Sequence, residues 1–576
     1  MRNKTLQAEL IKESPESFLD RIRNAKDLCI SNDGYVKGYH FSHQFIGNII
    51  TQNHVDKWNE KTPIFIAAQT GTGKSSLVFD KILVSVKNRA KRLCIIGSRT
   101  VLVQQYKKQA ANLEEPDLLK ELTEEGLQRR HNFGSIDIYS YQELIHLLSK
   151  NPMQFFHEYG AVVLDECHFF IQDAPYNELS QEILEGIITS AKHCVRIYLT
   201  ATPDVCLEDI IKLEKKFSNS SLSRMSGGAA YGLFNMNQLD NFLLYYFDIN
   251  YDYITPCLFK EDSEIIDMIH ADQSNAKYLI CVDSKARGQS MEQALGKSIA
   301  DFIDAELKNT SKAETVTTMI NNEQFEKKVL IATSFLDVGI NLKDENLLNV
   351  VIYSTDQTHF LQSIGRKRKH AQQAVSLYIH IPGQEDISRY LKSARFTQAE
   401  LKENIHYYCD SATAYFQKLP DSIYIKKIDG KIQIRFNGFA FTYWNHRINE
   451  LSNILESLKS IPNSDEAFAR HFLNWLGLEH LYEQIHWLGS SPTDINNELV
   501  QLIENYANRE LSEDEFLKFR EKFHDTYNRL YPQTSIRGGR TPHLNVLNKK
   551  FNELRLAFIV KNIGNAGNPC YMIKKG

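Results

Sequence analysis

The sequence has no Cys-X-X-Cys pair, no tandem repeat and no apolar run near the roughly 20 residues that span a bilayer. Its nine cysteines (29, 94, 167, 194, 206, 257, 281, 409 and 570) are scattered and odd in number. That excludes clustered thiolate sites for zinc or iron–sulfur, and it argues against a disulfide framework. An excess of positive charge is also missing: 67 basic residues face 71 acidic ones, a net charge of −4. Any contact with a polyanion must therefore come from local clusters. The first 27 residues are charged throughout and lack an apolar signal core. The expectation is a soluble, cytoplasmic protein with no membrane partner. With 42% apolar and 24% charged residues, neither disorder nor a fibrous build is indicated. At about 150 residues per domain, 576 residues predict three to four domains.

What is present is a recurring short, β-branched apolar run followed by a turn and a helical pattern. The runs are Ile64–Ala67, Leu93–Ile96, Ile136–Tyr139, Ala161–Leu164 and Val195–Leu199, then Tyr278–Val282, Val329–Ala332, Val350–Tyr353 and Val375–Ile379. Such runs alternating with helices read as buried parallel strands, so two series predict two doubly wound α/β sheets. Ser218–Gly232, with its serines and Gly227-Gly228, reads as the linker between them. Beyond about residue 390, apolar spacing at i, i+3 and i+4 predicts helices at 396–414, 447–460, 465–476, 495–508 and 513–531. The last forty residues, with eight basic residues and only Glu553 acidic, predict a short helix (His543–Leu554) and two strands. The expected domains are an N-terminal extension (1–35), two lobes (36–225 and 226–390), a helical accessory domain (391–536) and a basic tail (537–576).

Gly71-Thr72-Gly73-Lys74-Ser75-Ser76 stands between the run Ile64–Ala67 and the apolar Leu77-Val78-Phe79. A glycine-rich turn at a helix N-terminus closes backbone N–H groups around phosphate oxygens. Lys74 would reach the β- and γ-phosphates of ATP, and the Ser75 hydroxyl would hold Mg2+. The eight-residue GxxxxGK[ST] pattern is complete except at Ala68, where glycine is usual. Asp165-Glu166-Cys167-His168 follows the run Ala161–Leu164 about ninety residues later. An acidic pair at the carboxyl end of a parallel strand lies beside such a loop. Asp165 is assigned to Mg2+ through water, and Glu166 to the water nucleophile.

With these residues the sequence resembles the superfamily 2 helicases, of the DEAD/DEAH-box kind. Its DECH spelling resembles the DExH branch that includes the flaviviral helicases. The resemblance spans roughly residues 36–390 and rests on further motifs in order. Ser98-Arg99-Thr100 through Gln105, Ser140-Tyr141-Gln142, Thr200-Ala201-Thr202, Cys281 through Ser284-Lys285, Ala332-Thr333-Ser334 through Gly339-Ile340-Asn341, and Gln362 through Gly365-Arg366-Lys367-Arg368 look like the later motifs. It implies two tandem RecA-like lobes closing on ATP. His168 joins the catalytic set, Gly339 and Gln362 contact nucleotide, and Arg366 or Arg368 serves as the arginine finger. Lys369 stands where the family's last arginine is expected, and Asn341 where its aspartate is, so both contacts depart from the pattern. Gln44 is the candidate for adenine, ahead of Gln52.

The resemblance further implies a single strand of nucleic acid gripped by its backbone at Arg99, Thr100, Ser140, Ser284 and Thr333. At Thr100, Ser140, Ser284 and Thr333, an ordinary turn or N-cap hydroxyl is the competing reading. Arg540, Lys549, Lys550, Arg555 and Lys561 of the tail could meet duplex phosphates in a winged-helix-like module, or pack on an acidic lobe. The basic run Lys87–Arg92 reads as a solvated helix end, and Trp444, Trp475 and Trp487 as core. The function expected is an ATP-dependent, Mg2+-using helicase or translocase, on DNA rather than RNA, with 3′ to 5′ polarity. The alternative is an ATP-gated nucleic-acid clamp or sensor.

Overall fold

In the computed structural model the described residues run from Val36 to Lys575, less 99, 118–122, 151, 219–241, 305–318, 320–321, 334–341, 368–373, 411–421, 429–430, 462, 489–498, 531–541, 554–557 and 565–568. The chain divides into two compact units, the first comprising residues 1–255 and 273–479, the second 256–272 and 480–576.

The first unit opens with an eight-stranded sheet: β1 (Val36–Phe41), β2 (Ile64–Ala67), β3 (Arg92–Gly97), β4 (Asn132–Phe133), β5 (Ile136–Ser140), β6 (Tyr159–Asp165), β7 (Val195–Thr200) and β8 (Phe242–Phe247). Their order is β1-β8-β2-β7-β6-β3-β5-β4, and every pairing is parallel except β4 with β5. The apolar runs are continuous because both faces are covered. Phe65, Leu164 and Tyr198 pack into one core, while their neighbours Ile64, Ile66, Val163, Ile197 and Leu199 pack into the other. Each such buried side chain contributes about 1.5–3 kcal/mol. The helices that matter for the site are α1 (Lys74–Leu77), α2 (Thr100–Glu114), α3 (Tyr141–Lys150), α4 (Phe169–Gln172) and α5 (Ser180–Ser190).

Strand β9 (Ile254–Phe259) carries the chain into the second unit. Within the first unit a second parallel sheet follows: β10 (Lys277–Cys281), β11 (Ala300–Ile303), β12 (Val329–Ala332), β13 (Leu347–Ile352) and β14 (Val375–His380). Here β10 lies between β12 and β13, with β11 outside β12 and β14 outside β13. Helix α6 (Lys285–Leu295) follows β10, and α7 (Gln357–Gly365) follows β13. Then come the long α8 (Gln384–Asp410), a hairpin of β15 (Ile423–Ile428) and β16 (Lys431–Phe436), and α9 (Gly438–Glu456). The two parallel sheets make the tandem RecA-like architecture expected from sequence.

Three details depart from the expectations. Phe242–Phe247, on the second lobe's side of the boundary expected at residue 225, joins the first sheet between β1 and β2. Its strand lies beyond the supposed linker, most of which falls outside the described residues. The region expected to be helical contains the β15–β16 hairpin, where isoleucines alternate with polar residues at a period of two. The third departure concerns the tail. In the second unit, α10 (Glu513–Leu530) and α11 (Leu544–Glu553) pack with β18 (Glu510–Leu511), β19 (Phe558–Asn562) and β20 (Tyr571–Lys575), after the short parallel partner of β9, β17 (His486–Trp487). The strand order is β18-β20-β19, antiparallel, and the helical Leu499 and Ile503 pack into the same core. The unit draws on residues well before 537, because Leu499, Ile503, Phe516, Phe519 and Phe523 supply much of its core. Forty residues alone bury too little surface. No helix among the described residues is long and apolar enough to cross a membrane.

Candidate active site

The phosphate loop is built by β2 ending against β7. Ala68 N–H donates to Thr200 O at 2.9 Å, after which the chain turns through Gly71 and Gly73 at φ 88° and 92°. Those angles suit glycine, since a Cβ there would strain the backbone. Thr72 Oγ1 donates to Gln69 O at 2.7 Å, and Ile46 N–H to Thr72 O at 2.9 Å, so the loop is pinned from both sides. Lys74 is buried, and its Nζ donates to Ala68 O at 2.9 Å across the mouth of the loop. Ser75 and the exposed Ser76 follow in the first turn of α1. Gln44 precedes Phe45, which caps the short helix Ile46–Ile49; its amide donates to Ser42 O at 3.4 Å.

Asp165 ends β6, with β7 between that strand and β2. Its carboxylate is buried: Oδ2 accepts the Tyr106 hydroxyl at 2.6 Å, and Oδ1 has no side-chain hydrogen-bond partner among the described residues. Burial first, and the Glu166 charge second, raise its pKa to about 6, against the pull of Lys74 and the Tyr106 hydrogen bond. Glu166 adopts φ 51°, a left-handed conformation that non-glycine residues rarely take. Such strain is typical of a site that holds a side chain in one direction.

His168 ties the acidic motif to two others. Its Nδ1 lies 2.9 Å from Thr200 Oγ1, and its Nε2 lies 2.5 Å from Gln362 Nε2 on α7. With the amide donating to Nε2, the ring proton sits on Nδ1 and donates to Thr200. Thr200 Oγ1 in turn accepts Thr202 N–H at 3.0 Å. The helix α7 therefore reaches from the second sheet to the acidic motif of the first. It also meets the phosphate loop: a Cβ on Gly365 would lie 2.9 Å from Thr70 Oγ1 and 3.0 Å from Thr70 Cβ. Arg366, buried, comes next at the end of α7. Thus Lys74, Asp165, Glu166, His168 and Gln362 are brought together, and Arg366 follows at the end of α7. Arg368 and Gly339 lie outside the described residues.

Two of the four hydroxyls expected at nucleic acid are engaged locally. Ser140 caps α3: its Oγ donates to Glu143 Oε2 at 2.9 Å and accepts Glu143 N–H at 3.2 Å. Ser284 caps α6 by accepting Arg287 N–H at 3.3 Å. Thr333 follows β12, its N–H donating to Ile303 O at 3.4 Å. Thr100 begins α2, and Arg99 lies outside the described residues. Trp475 packs edge-on against Phe360, 5.3 Å between ring centres, and Trp444 packs on the core of the first sheet.

Residues 35–205 match the family model described as type III restriction enzyme, res subunit. No curated protein matches the chain. Solved structures that resemble it include the S. cerevisiae protein Dbp5 bound to RNA and ADP BeF3, 14% identical over 55% of this chain and 79% of that one, TM-score 0.37. Mss116p bound to single-stranded RNA and AMP-PNP is 14% identical over 90% and 98%, TM-score 0.42. A putative HsdR subunit fragment of a type I restriction enzyme from Vibrio vulnificus YJ016 is 14% identical over 57% and 63%, TM-score 0.37. The fold is a tandem pair of parallel α/β sheets, with a phosphate loop after β2 and an acidic motif at the end of β6. The part of the chain that the family model matches is the first sheet with its phosphate loop and acidic motif.

Proposed function

We propose that the protein is a DExH-type motor that hydrolyses Mg2+–ATP to move along nucleic acid, DNA ahead of RNA, and to separate its strands. The observation that carries this reading is the line Thr200–His168–Gln362, which joins the acidic motif to the second lobe within 3 Å steps. Through it, a change at the γ-phosphate becomes a change in how the lobes meet, which is what a motor needs.

The residues suit the cation. Asp165 Oδ1 is buried without a side-chain partner among the described residues, and the Ser75 hydroxyl stands in the first turn after the loop. A hard cation held by one carboxylate, one hydroxyl, phosphate oxygens and water fits such a donor set. Bound there, Mg2+ would neutralise charge growing on the phosphates. Lys74 would release Ala68 O and turn to the β- and γ-phosphates. Glu166 would orient the attacking water and take its proton, while Arg366 would stabilise the transition-state charge, with Arg368 as the other candidate finger. Gln44 would contact adenine. Thr100, Ser140, Ser284 and Thr333, with Arg99, would line the strand path mainly through backbone amides.

The lobes are assigned to residues 36–225 and 226–390 with β8 transferred to the first, followed by the helical accessory domain and the basic tail. The tail, read as a winged-helix-like module, would hold a duplex arm against Lys549, Lys550 and Lys561, supported by eight basic residues against one acidic in the last forty.

The test is steady-state ATPase activity of the wild type and Lys74→Ala with single- and double-stranded DNA and RNA. Many-fold stimulation by one polymer, lost in the variant, is expected. Tight ATP-dependent binding with slow turnover on every polymer would overturn the motor in favour of an ATP-gated clamp or sensor.

A further inference from the structure

The accessory helix α9 is fastened to both lobes of the first unit, and its two attachments differ in kind. At the first lobe it is capped by Asn437, fully buried, whose Nδ2 donates to Asn177 O at 2.8 Å and to Ser180 Oγ at 3.0 Å. Gly438 N–H donates to Gln181 Oε1 at 2.7 Å, and Phe439 and Ala440 enter the core of the first sheet. This end is a conventional packed joint.

Two turns on, α9 presents charge to a single place, the N-terminus of α7. Arg447 donates to Thr355 O at 3.0 Å and Thr355 Oγ1 at 3.2 Å, pairs with Glu450, and lies 3.7 Å from Asp356 Oδ2. Glu450 Oε1 accepts the Gln357 N–H at 2.5 Å. Asp356 caps α7 by accepting His359 N–H at 3.0 Å, and its other oxygen accepts the Gln172 amide at 3.0 Å. Gln172 closes α4, the short helix that begins directly after His168. Two first-turn N–H groups of α7 thus end on carboxylates, one from α9 and one from its own cap.

Apolar side chains of the same volume would hold two helices together at least as well as this buried ionic group. What such a group adds is register, because a carboxylate satisfies an amide only at one helix setting. The far end of α7 is where register matters, since Gln362 meets His168 and Gly365 meets Thr70 there.

We propose that Arg447 and Glu450 are positioning residues of the ATP site: from the accessory helix they fix the setting of α7, so that Gln362 and Arg366 are delivered to the cleft. The inference rests on the reading that ATP sits between the lobes. It gives the region after residue 390 a role in hydrolysis without contact with the nucleotide. Gln172 makes the arrangement reciprocal, because it ties the same N-terminus to the segment following the acidic motif.

The test compares Arg447→Ala and Glu450→Ala with the conservative Arg447→Lys. Turnover should fall about ten-fold or more in the alanine variants, with the Kd of a fluorescent ATP analogue within about two- to three-fold of wild type. Arg447→Lys should recover part of the loss. Amide hydrogen exchange in the presence of a non-hydrolysable ATP analogue is measured on the same proteins. Exchange at Gln357 and His359 should speed up by about ten-fold or more, while β2 and β6 stay protected. Unchanged turnover and exchange in a folded variant would overturn the proposal. So would a uniform rise in exchange across the first sheet, which is the signature of a merely structural role. Exchange at α7 decides the matter even for a wild type that proves not to hydrolyse ATP, so the motor reading can fail separately.

Discussion

The Tyr106 hydroxyl lies 2.6 Å from Asp165 Oδ2, joining the helix that follows the Ser98-Arg99-Thr100 motif to the carboxylate assigned to the metal. Tyr106 is buried against Phe79, whose ring centre is 5.8 Å away, so its ring cannot swing aside. With Oδ2 held by that hydrogen bond, Oδ1 is the freer of the two oxygens to face a cation.

Tyr106→Phe keeps that packing and removes one hydrogen bond to a buried carboxylate, worth about 1.5–3 kcal/mol when the acceptor is charged. Turnover should drop about 10- to 100-fold and the Mg2+ needed for half-maximal activity should rise, as for loss of other groups that orient a metal ligand. A Mg2+ titration of ATPase activity checks this. An unshifted titration curve with wild-type turnover would show that Tyr106 only fills space.

Gly365 is the contact point between α7 and the phosphate loop. A Cβ there would come within 2.9 Å of Thr70 Oγ1 and 3.0 Å of its Cβ, closer than nonbonded atoms sit. Gly365→Ala should push α7 back and lower turnover about ten-fold or more, with a smaller effect on stability, because a helix otherwise favours alanine. Thr70→Ala removes Oγ1 and should restore part of the loss in the double variant. The double-mutant cycle reads the coupling directly. Additive effects would mean that the two residues do not meet during hydrolysis.

Two carboxylates share one guanidinium in the brace, and they do not titrate alike. Asp356 is held below the usual range: His359 and Arg447 outweigh its burial. Glu450 is pushed up to about 7, first by burial and then by the Asp356 charge, with Arg447 opposing; Tyr443 also faces the pair. In the unfolded chain Glu450 would lose its proton near pH 4.5. Between that pH and about 7 the folded protein therefore binds more protons, and this contribution to stability falls as pH rises. Glu450→Gln removes it. Denaturation midpoints should be similar at pH 5.5, whereas at pH 8 the wild type should lose on the order of 2 kcal/mol relative to the variant. A gap that does not change with pH would rule out this titration.

The sheets and the phosphate loop were legible because their signals are local. A continuous apolar run such as Ile64–Ala67, followed by Gly71 and Gly73, specifies strand, turn and helix within a dozen residues. Asp165 and Glu166 were legible for the same reason, being placed by the end of one strand. What escaped was set by partners far along the chain. Nothing around Tyr106 distinguishes it from a core aromatic, since its meaning comes from Asp165, 59 residues away. Arg447 and Glu450 look like an ordinary helical pair three residues apart, yet their partners are at 355–357, more than ninety residues earlier. At Ser140 and Ser284 the competing cap reading was also local, and both hydroxyls do cap the helices that follow them. The hairpin at 423–436 was hidden by the helices around it, although its period-two alternation was present.

Lys549 on α11 and Lys561 on β19 belong to an element pair held by Asn548, whose side chain bonds both backbone groups of Val560 at 2.8 and 3.0 Å. If this face carries duplex phosphates, affinity should fall steeply with salt, by close to one power of concentration per phosphate neutralised. Replacing both lysines with alanine should weaken duplex DNA binding at every sequence and lower the slope of log K against log salt by about 2. ATPase stimulation by single-stranded DNA should be unchanged, because the cleft residues are untouched. Binding measured by fluorescence anisotropy from about 50 to 200 mM salt, a range in which six to ten phosphate contacts lose several decades of affinity, resolves such a change. An unaltered slope would assign the basic residues to packing within the protein and move the duplex elsewhere.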